Sequence, residues 1–389
     1  LIYRIMKISR FNQYISESVI DKKLPVSKEI RELSELFKQN GKRLYIVGGW
    51  VRDHLMGKSP HDIDLATDSL PDETLDFLGD KYSVDLVGKA FGVIILKVGG
   101  EDVEIASFRT DGDGRKPEVT LGVTIEEDVS RRDLTISALF YDIENDNIVD
   151  LVGGINDINN KVIRMVGDPL DRISEDQLRV LRVARFASRY DFEIDDKTAK
   201  AIQKNSDLSE ISKERIVEEF LKVFDKNPSL KPFLDIITKF GIWNQIFGDF
   251  KVNTNVVETS SVSLYLSNLL KDNDSKDLEV LTEVFKWSSD IKDSVKFLVS
   301  LKDFKPELLN KYFTEKKRIK MDNKTILEFL NLSEIPNKEM VLKFSEYVPT
   351  VKSSELIKLG FSGEKLGAEI KRLEIEKFKE LLWYITLII

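Results

Sequence analysis

Apolar residues change their spacing along this chain, and the change divides it. Residues 27–40 carry Ile30, Leu33, Leu36 and Phe37 at helical spacing and stop before Gly41, which predicts a helix closed by glycine. Residues 44–47 are a short apolar run of strand character that halts at Gly48-Gly49. From Trp50 the apolar positions Val51, Leu55 and Met56 return to helical spacing until Gly57. A further helix is expected over 72–78, and strands over 82–86, 93–98 and 103–107, the last two joined by Gly99-Gly100. Residues 140–142 and 148–151 read as a hairpin across Asn145-Asp146-Asn147. These elements predict an α/β head with a small mixed sheet over 28–152. Beyond it helical spacing prevails, including Leu234, Ile237 and Phe240 and then Phe297, Leu298 and Leu301, so 153–226 and 227–389 are expected to be all-α. Residues 1–27 read as an extension in which Phe11, Tyr14, Ile15 and Val19 mark a weak amphipathic helix ending before Pro25.

Composition narrows the chemistry. The 389 residues are 42% hydrophobic and 32% charged, as in ordinary globular protein, and the absence of cysteine excludes disulfides, thiolate nucleophiles and zinc–thiolate sites. The two histidines, His54 and His61, are too close together to supply the dispersed ligands of a histidine–aspartate phosphohydrolase. His61 can touch a site formed nearby, although a helix-end or loop role is the plainer reading. A net charge of -8 argues against a uniformly basic nucleic-acid binder, so any RNA contact must come from a local patch. The best candidate is residues 302–320, with seven Lys or Arg against three acids, a net of +4. No apolar run reaches the roughly 18 residues of a membrane span, and the start lacks the apolar core of a signal peptide. A cytoplasmic protein is therefore expected, with Met6 as its natural start.

Chemistry concentrates in residues 45–67. Two glycines let backbone approach a ligand closely, and a helix beginning there directs N–H groups and partial positive charge at an anion. Arg52, at the helix start, can fork onto a phosphate. Strand alternation through His61-Asp62-Ile63-Asp64-Leu65 puts both aspartates on one face. At about 4 Å two such charges repel by roughly 4 kcal/mol at an effective dielectric near 20, so the pair implies a cation. Oxygen ligands favour Mg²⁺, which binds one or two carboxylates together with substrate phosphates. In residues 102–107 the same alternation separates Glu104 from Val103 and Ile105 and makes it a candidate third carboxylate. The bland alternative is a tight turn, an acidic loop edge and a solvated glutamate.

The combination GGWVRD…DIDLAT resembles motif A of the nucleotidyltransferase superfamily that includes DNA polymerase beta. More narrowly, it resembles class II tRNA nucleotidyltransferases and bacterial poly(A) polymerases. VEIASFR resembles the strand after motif A, in which the acidic position, here Glu104, completes the triad. SRRDLTISAL resembles motif B, with Leu134 and Ser137 as departures; Arg132 and Asp133 can grip a phosphate and both ribose hydroxyls, the alternative being a helix start with Asp133 in its first turn. DLVGG at 150–154 is similar to motif C and reads as a hinge. EDQLRVLRVARF resembles motif D, where Asp176 and Arg179 match the residues that read the incoming base, and Arg182 and Arg185 continue the arginine series. A carboxylate accepts from the exocyclic amine of cytosine or adenine, and arginine donates to the adjacent ring nitrogen. Uracil and guanine present a carbonyl instead. The alternative is a capping box with Ser174 as N-cap and Gln177 at N3. ISKERIVEEF is similar to motif E and is expected to be structural.

The resemblance covers residues 44–225. It implies template-independent addition of C and A to the 3′ end of tRNA from CTP and ATP, with release of pyrophosphate. It further implies two Mg²⁺ ions on Asp62, Asp64 and Glu104. The nucleotide would lie against Gly48, Gly49, Arg52, Arg132, Asp133, Asp176, Arg179, Arg182 and Arg185, and neither DNA nor a membrane is an expected partner. The polar segment 110–119, with Arg115-Lys116-Pro117, is shorter than the family's mobile loop, which is associated with switching from C to A. A poly(A) polymerase and a specialised CC-adding or A-adding enzyme are thus the neighbouring readings. Residues 84–92 lack the basic run associated with bacterial poly(A) polymerases, which favours the tRNA enzyme. An inactive RNA-binding module on the same fold is the rival of another class, and the intact Asp62/Asp64 pair argues against it.

Overall fold

The computed structural model describes residues 18–60, 62–112, 119–226, 231–248, 250–253, 259–284 and 287–386. It forms two compact units, Leu1–Ile211 with Ile236–Ile242, and Ser212–Asp235 with Trp243–Ile389. Among the described residues no helix is long and apolar enough to cross a membrane.

The first unit is built on an eight-stranded sheet. Its elements are β1 (Ser18–Asp21), α1 (Lys28–Gln39), β2 (Leu44–Val47), α2 (Gly49–Leu55), β3 (Asp64–Thr67), α3 (Pro71–Leu78), β4 (Val84–Asp85), β5 (Val93–Val98) and β6 (Glu101–Ser107). A small hairpin follows, β7 (Arg109–Asp111) with β8 (Val119–Leu121), and then α4 (Ile125–Arg131), β9 (Leu139–Asp142) and β10 (Asn147–Asp150). The strand order is β1-β10-β9-β2-β3-β6-β5-β4. Only β3 and β6 run parallel; every other neighbouring pair is antiparallel. The sheet is mixed, as expected. Every residue of central β2 is buried, which explains its unbroken apolar run. Ser27 caps α1 by accepting from the Ile30 N–H, and Ile30, Leu33 and Phe37 are buried.

Four expectations change. Val19 lies on β1, the edge strand paired with β10, and not on a helix, while Phe11, Tyr14 and Ile15 lie outside the described residues. The strand expected over 82–86 shortens to two residues. Segment 110–119 begins and ends within the paired strands β7 and β8, with residues 113–118 outside the described set. The part after residue 153 is not purely helical: α5 (Gly154–Asn159) leads to β11 (Val162–Ile163), then α6 (Pro169–Glu175), α7 (Leu178–Tyr190), β12 (Glu193–Ile194) and α8 (Asp196–Lys204). There β11 and β12 form a short parallel ladder.

The second unit is helical. Its core joins Phe297, Leu298, Leu301, Phe304, Phe329, Phe344 and Phe378, and the motif-E-like segment forms the helix Lys213–Lys226 within this unit. Within residues 302–320, Arg318 pairs with Asp293 at 2.6 Å, Lys302 donates to the Lys271 carbonyl at 2.9 Å, and Lys316 bonds Asn323. Lys305, Lys311, Lys317 and Lys320 are exposed.

Candidate active site

Strand β2 delivers the chain to Gly48, whose φ of 67° lies in the left-handed region that a side chain would strain. The Gly48 N–H donates to the Leu139 carbonyl at 3.0 Å, tying the turn to β9. A Cβ on Gly48 would lie 3.9 Å from Nη1 of Arg132, and one on Gly49 would lie 3.4 Å from Nη2 of Arg52. Two guanidinium groups therefore flank the turn. Arg52 does not project as a free fork: it is 4% exposed, with Nε on Asp53 at 2.9 Å and Nη1 on the Ser137 hydroxyl at 3.2 Å. Its Nη2 edge is the part turned to Gly49.

The carboxylates stand at the same end of the sheet. Asp64 is the register partner of Val47 on β2, next to the turn, and of Glu104 on β6. Register partners share a face, so Asp64 and Glu104 rise together, while Leu65, Val103 and Ile105 go into the core. Asp62 precedes the first residue of β3, so its position does not come from strand alternation. It is nonetheless close enough to act on Asp64. Although Asp64 is exposed at the strand end, desolvation by the protein around it, then Glu104, then Asp62 push its carboxyl above its usual range, against the charge of Arg132. Among the described residues no three acidic or histidine groups form a ready-made metal cage. His61 lies outside the described residues.

Behind the turn, Asp128 is 1% exposed and holds two neighbours: Arg131 Nε at 2.8 Å, and Arg132 through Nε at 3.1 Å and Nη2 at 3.0 Å. It also accepts the Arg109 N–H at 3.2 Å. Helix α4 ends at Arg131 and the next helical turn starts only at Thr135, so Asp133 lies between them and in no first helical turn. The Asp133 carboxylate accepts Arg182 Nε at 2.6 Å and the Leu134 N–H at 2.9 Å. Burial works to raise its pKa, but the charge and hydrogen bond of Arg182, with the charge of Arg179, hold it below the usual range.

The alternative of a capping box at 174–177 does not form. Asp168 caps α6, accepting the N–H groups of Leu170 at 2.9 Å and Asp171 at 3.3 Å, because Pro169 behind it offers a stronger start. Ser174 therefore falls in the last turn of α6. Asp176, at φ -155° and ψ 102°, breaks the helix, and its Oδ1 accepts the Leu178 N–H at 3.1 Å as α7 begins. Asp176 and Arg179 thus do not share one helix face. Arg179 lies on Glu175 at 2.8 Å and on the Arg131 carbonyl at 3.2 Å. Nor are the arginines of α7 a solvent-facing row: Arg185 is buried against the Phe186 ring at 4.4 Å.

Sequence reading missed Asp128, Arg172, Glu175 and Tyr190. Arg172 is buried, bonding Glu175 and the Ser130 carbonyl. The signal available was spacing: Asp128 stands three and four residues before Arg131 and Arg132, and Glu175 three after Arg172 and four before Arg179.

Comparison with known proteins identifies the family. The family signature "Poly A polymerase head domain" matches residues 44–164, and "Probable RNA and SrmB- binding site of polymerase A" matches 191–252. The chain is 40% identical over 209 residues to the CCA-adding enzyme of Lactobacillus helveticus (strain DPC 4571), covering 52% of this chain and 51% of that enzyme. It thus matches about half the length of that relative. To the CCA-adding enzyme of Ligilactobacillus salivarius (strain UCC118) it is 37% identical over 298 residues, covering 72% and 69%. The crystal structure of the Bacillus stearothermophilus CCA-adding enzyme in complex with CTP shares the fold, with a TM-score of 0.70 over 89% of this chain and 91% of that one at 24% identity. From the glycine turn to the arginine helix, in sequence and in fold, the chain belongs to the class II CCA-adding enzyme and poly(A) polymerase family.

Proposed function

We propose that this chain adds C and A to the 3′ end of tRNA without a nucleic-acid template, using CTP and ATP. The observation that carries the reading is the meeting, at one end of the sheet, of the Gly48-Gly49 turn with Asp64 and its register partner Glu104. The tRNA 3′-hydroxyl attacks the α-phosphate in line. A new O3′–P bond forms, the bond to the bridging oxygen breaks, and pyrophosphate leaves.

Asp62, Asp64 and Glu104 are the residues that would hold two Mg²⁺ ions. The crowding that raises the Asp64 pKa is what a cation relieves, and Mg²⁺ takes its remaining ligands from water and phosphate, so no closed protein cage is required. When bound, the ions lower the pKa of the attacking hydroxyl and stabilise developing charge. The chain's own groups do the rest. The backbone N–H of Gly49, the Nη2 edge of Arg52 and Arg132 orient the phosphates. Asp133, steadied by Arg182, takes the ribose hydroxyls. Asp176 accepts from the amine of cytosine or adenine, Arg179 donates to the ring, and Arg185 supports that helix from within. The exposed Lys305, Lys311, Lys317 and Lys320 are the cations offered to the tRNA backbone, and the protein works in the cytoplasm.

A gel assay on tRNA ending at the discriminator base, with CTP alone, ATP alone and both, tests this. Two added residues with CTP and a third only when ATP is present are expected. A long ladder with ATP alone would make the chain a poly(A) polymerase, and no extension under any condition would leave an RNA-binding module.

A further inference from the structure

Helix α7 grips the head along one stripe. Arg182, Phe186 and Tyr190 are spaced i, i+4, i+8 and so share a face. Arg182 holds Asp133 at 2.6 Å, and the Phe186 and Tyr190 rings stack at 6.0 Å and 16°. The buried guanidinium of Arg52 lies over both rings, 5.4 Å from Phe186 and 4.9 Å from Tyr190. A tyrosine that only packed would need no more. Here its hydroxyl donates to Asp53 Oδ1 at 3.1 Å, the same oxygen that accepts Arg52 Nε at 2.9 Å. Arg52 in turn reaches Ser137 with Nη1 and turns Nη2 toward Gly49. Burial pushes the Tyr190 hydroxyl up to about 12, so it remains a donor at every pH at which the protein would work.

We propose that Tyr190 is a positioning residue: through the shared Asp53 oxygen it fixes α7 against the glycine turn and thereby keeps Arg182 in register on Asp133. The sugar-facing end of the site then depends on a hydroxyl about two helical turns away. This rests on the nucleotide-binding reading given above.

Tyr190→Phe keeps the ring and its cations and removes only the hydroxyl; Tyr190→Leu removes both. The measurement is equilibrium binding of CTP and dCTP to the full chain, beside nucleotide incorporation and a melting curve. Tyr190→Phe is expected to weaken CTP binding about three- to tenfold and to narrow the preference for CTP over dCTP. Tyr190→Leu should do more, and Lys58→Ala, which removes an exposed cation 4.7 Å from the same ring, should change neither quantity. Wild-type CTP affinity and wild-type CTP:dCTP preference in Tyr190→Phe, whatever its melting point, overturn the proposal, and this holds if Tyr190→Leu does not fold. A wild-type chain that binds CTP yet adds nothing refutes the addition chemistry alone. One that binds neither nucleotide overturns both.

Discussion

Asp64 and Glu104 are register partners across the one parallel pair of the sheet, and Asp64 is held above the usual carboxylate range by desolvation at the strand end and by the charges of Glu104 and Asp62. Like charges gathered on one face weaken the fold that carries them. They are kept where a cation or a developing positive charge repays the strain.

Asp64→Asn should therefore separate function from stability. A folded-state pKa raised above the unfolded value means that ionised Asp64 costs stability at neutral pH, so a neutral isostere should leave the melting point unchanged or raise it. Nucleotide incorporation in Mg²⁺ should fall on the order of a hundredfold or more, since a lost metal ligand exceeds the effect of losing a group behind one. Asp62→Ala and Glu104→Ala are expected to follow in activity. Near-normal turnover in Asp64→Asn would end the metal-ligand assignment.

Gly154 sits where no side chain fits. A Cβ there would lie 2.2 Å from the Thr135 carbonyl oxygen, a backbone atom that cannot swing aside. The preceding corner is fixed as well, with Asp150 accepting the N–H groups of Val152 at 3.1 Å, Gly154 at 3.0 Å and Ile155 at 2.8 Å. Gly154→Ala should cost about 3 kcal/mol or more, read by urea unfolding. A cost below about 1 kcal/mol would mean that the corner yields as the hinge reading of this segment requires.

Asp128 offers a test in which stability and pH are linked. Burial works to raise its pKa, but the charges of Arg132 and Arg131 and their hydrogen bonds hold the carboxyl below its usual range. A lowered folded-state pKa gives stability that is present above the unfolded value, near 4, and is lost as pH falls through the folded value. Asp128→Asn leaves two guanidinium groups without their buried partner and should cost about 3–5 kcal/mol at neutral pH. Stability measured from about pH 6 down to pH 3 should then fall less steeply in the variant than in the wild type. Parallel curves would show that Asp128 does not carry the acid sensitivity.

What was legible in the sequence followed from local pattern. Strands 44–47 and 93–98 and helix α1 are as expected because their apolar periods and flanking glycines act over a few residues. Strand β1 was not legible: Ser18, Val19, Ile20 and Asp21 are all exposed and take strand form by pairing with β10, more than a hundred residues onward. Around residue 174 two starts competed, and Asp168-Pro169 won over Ser174 because proline is tolerated only in the first helical turn. The acidic anchors Asp128 and Glu175 had the right spacing to arginines, but their burial depends on packing that no local pattern records.

Asp176 stands at the junction of α6 and α7. Its Oδ1 accepts the Leu178 N–H at 3.1 Å where α7 begins, and an asparagine oxygen can make the same bond. If capping is its whole role, Asp176→Asn should cost only a few tenths of a kcal/mol, through the lost charge at a helix N-terminus, and nucleotide choice should not move. If Asp176 accepts the amine of cytosine or adenine, the amide supplies a donor as well, and the carbonyl of uracil gains a partner. Selection should then relax toward UTP. Loss of a charge-assisted hydrogen bond should also weaken CTP and ATP use by about 1.5–3 kcal/mol, roughly ten- to a hundredfold in specificity constant. The Arg179 side chain also lies on Glu175 and the Arg131 carbonyl, two contacts that the substitution does not remove. Incorporation of CTP, ATP and UTP, measured beside a melting curve, separates the two roles: a lowered melting point with unaltered selectivity would make Asp176 a helix cap and nothing more.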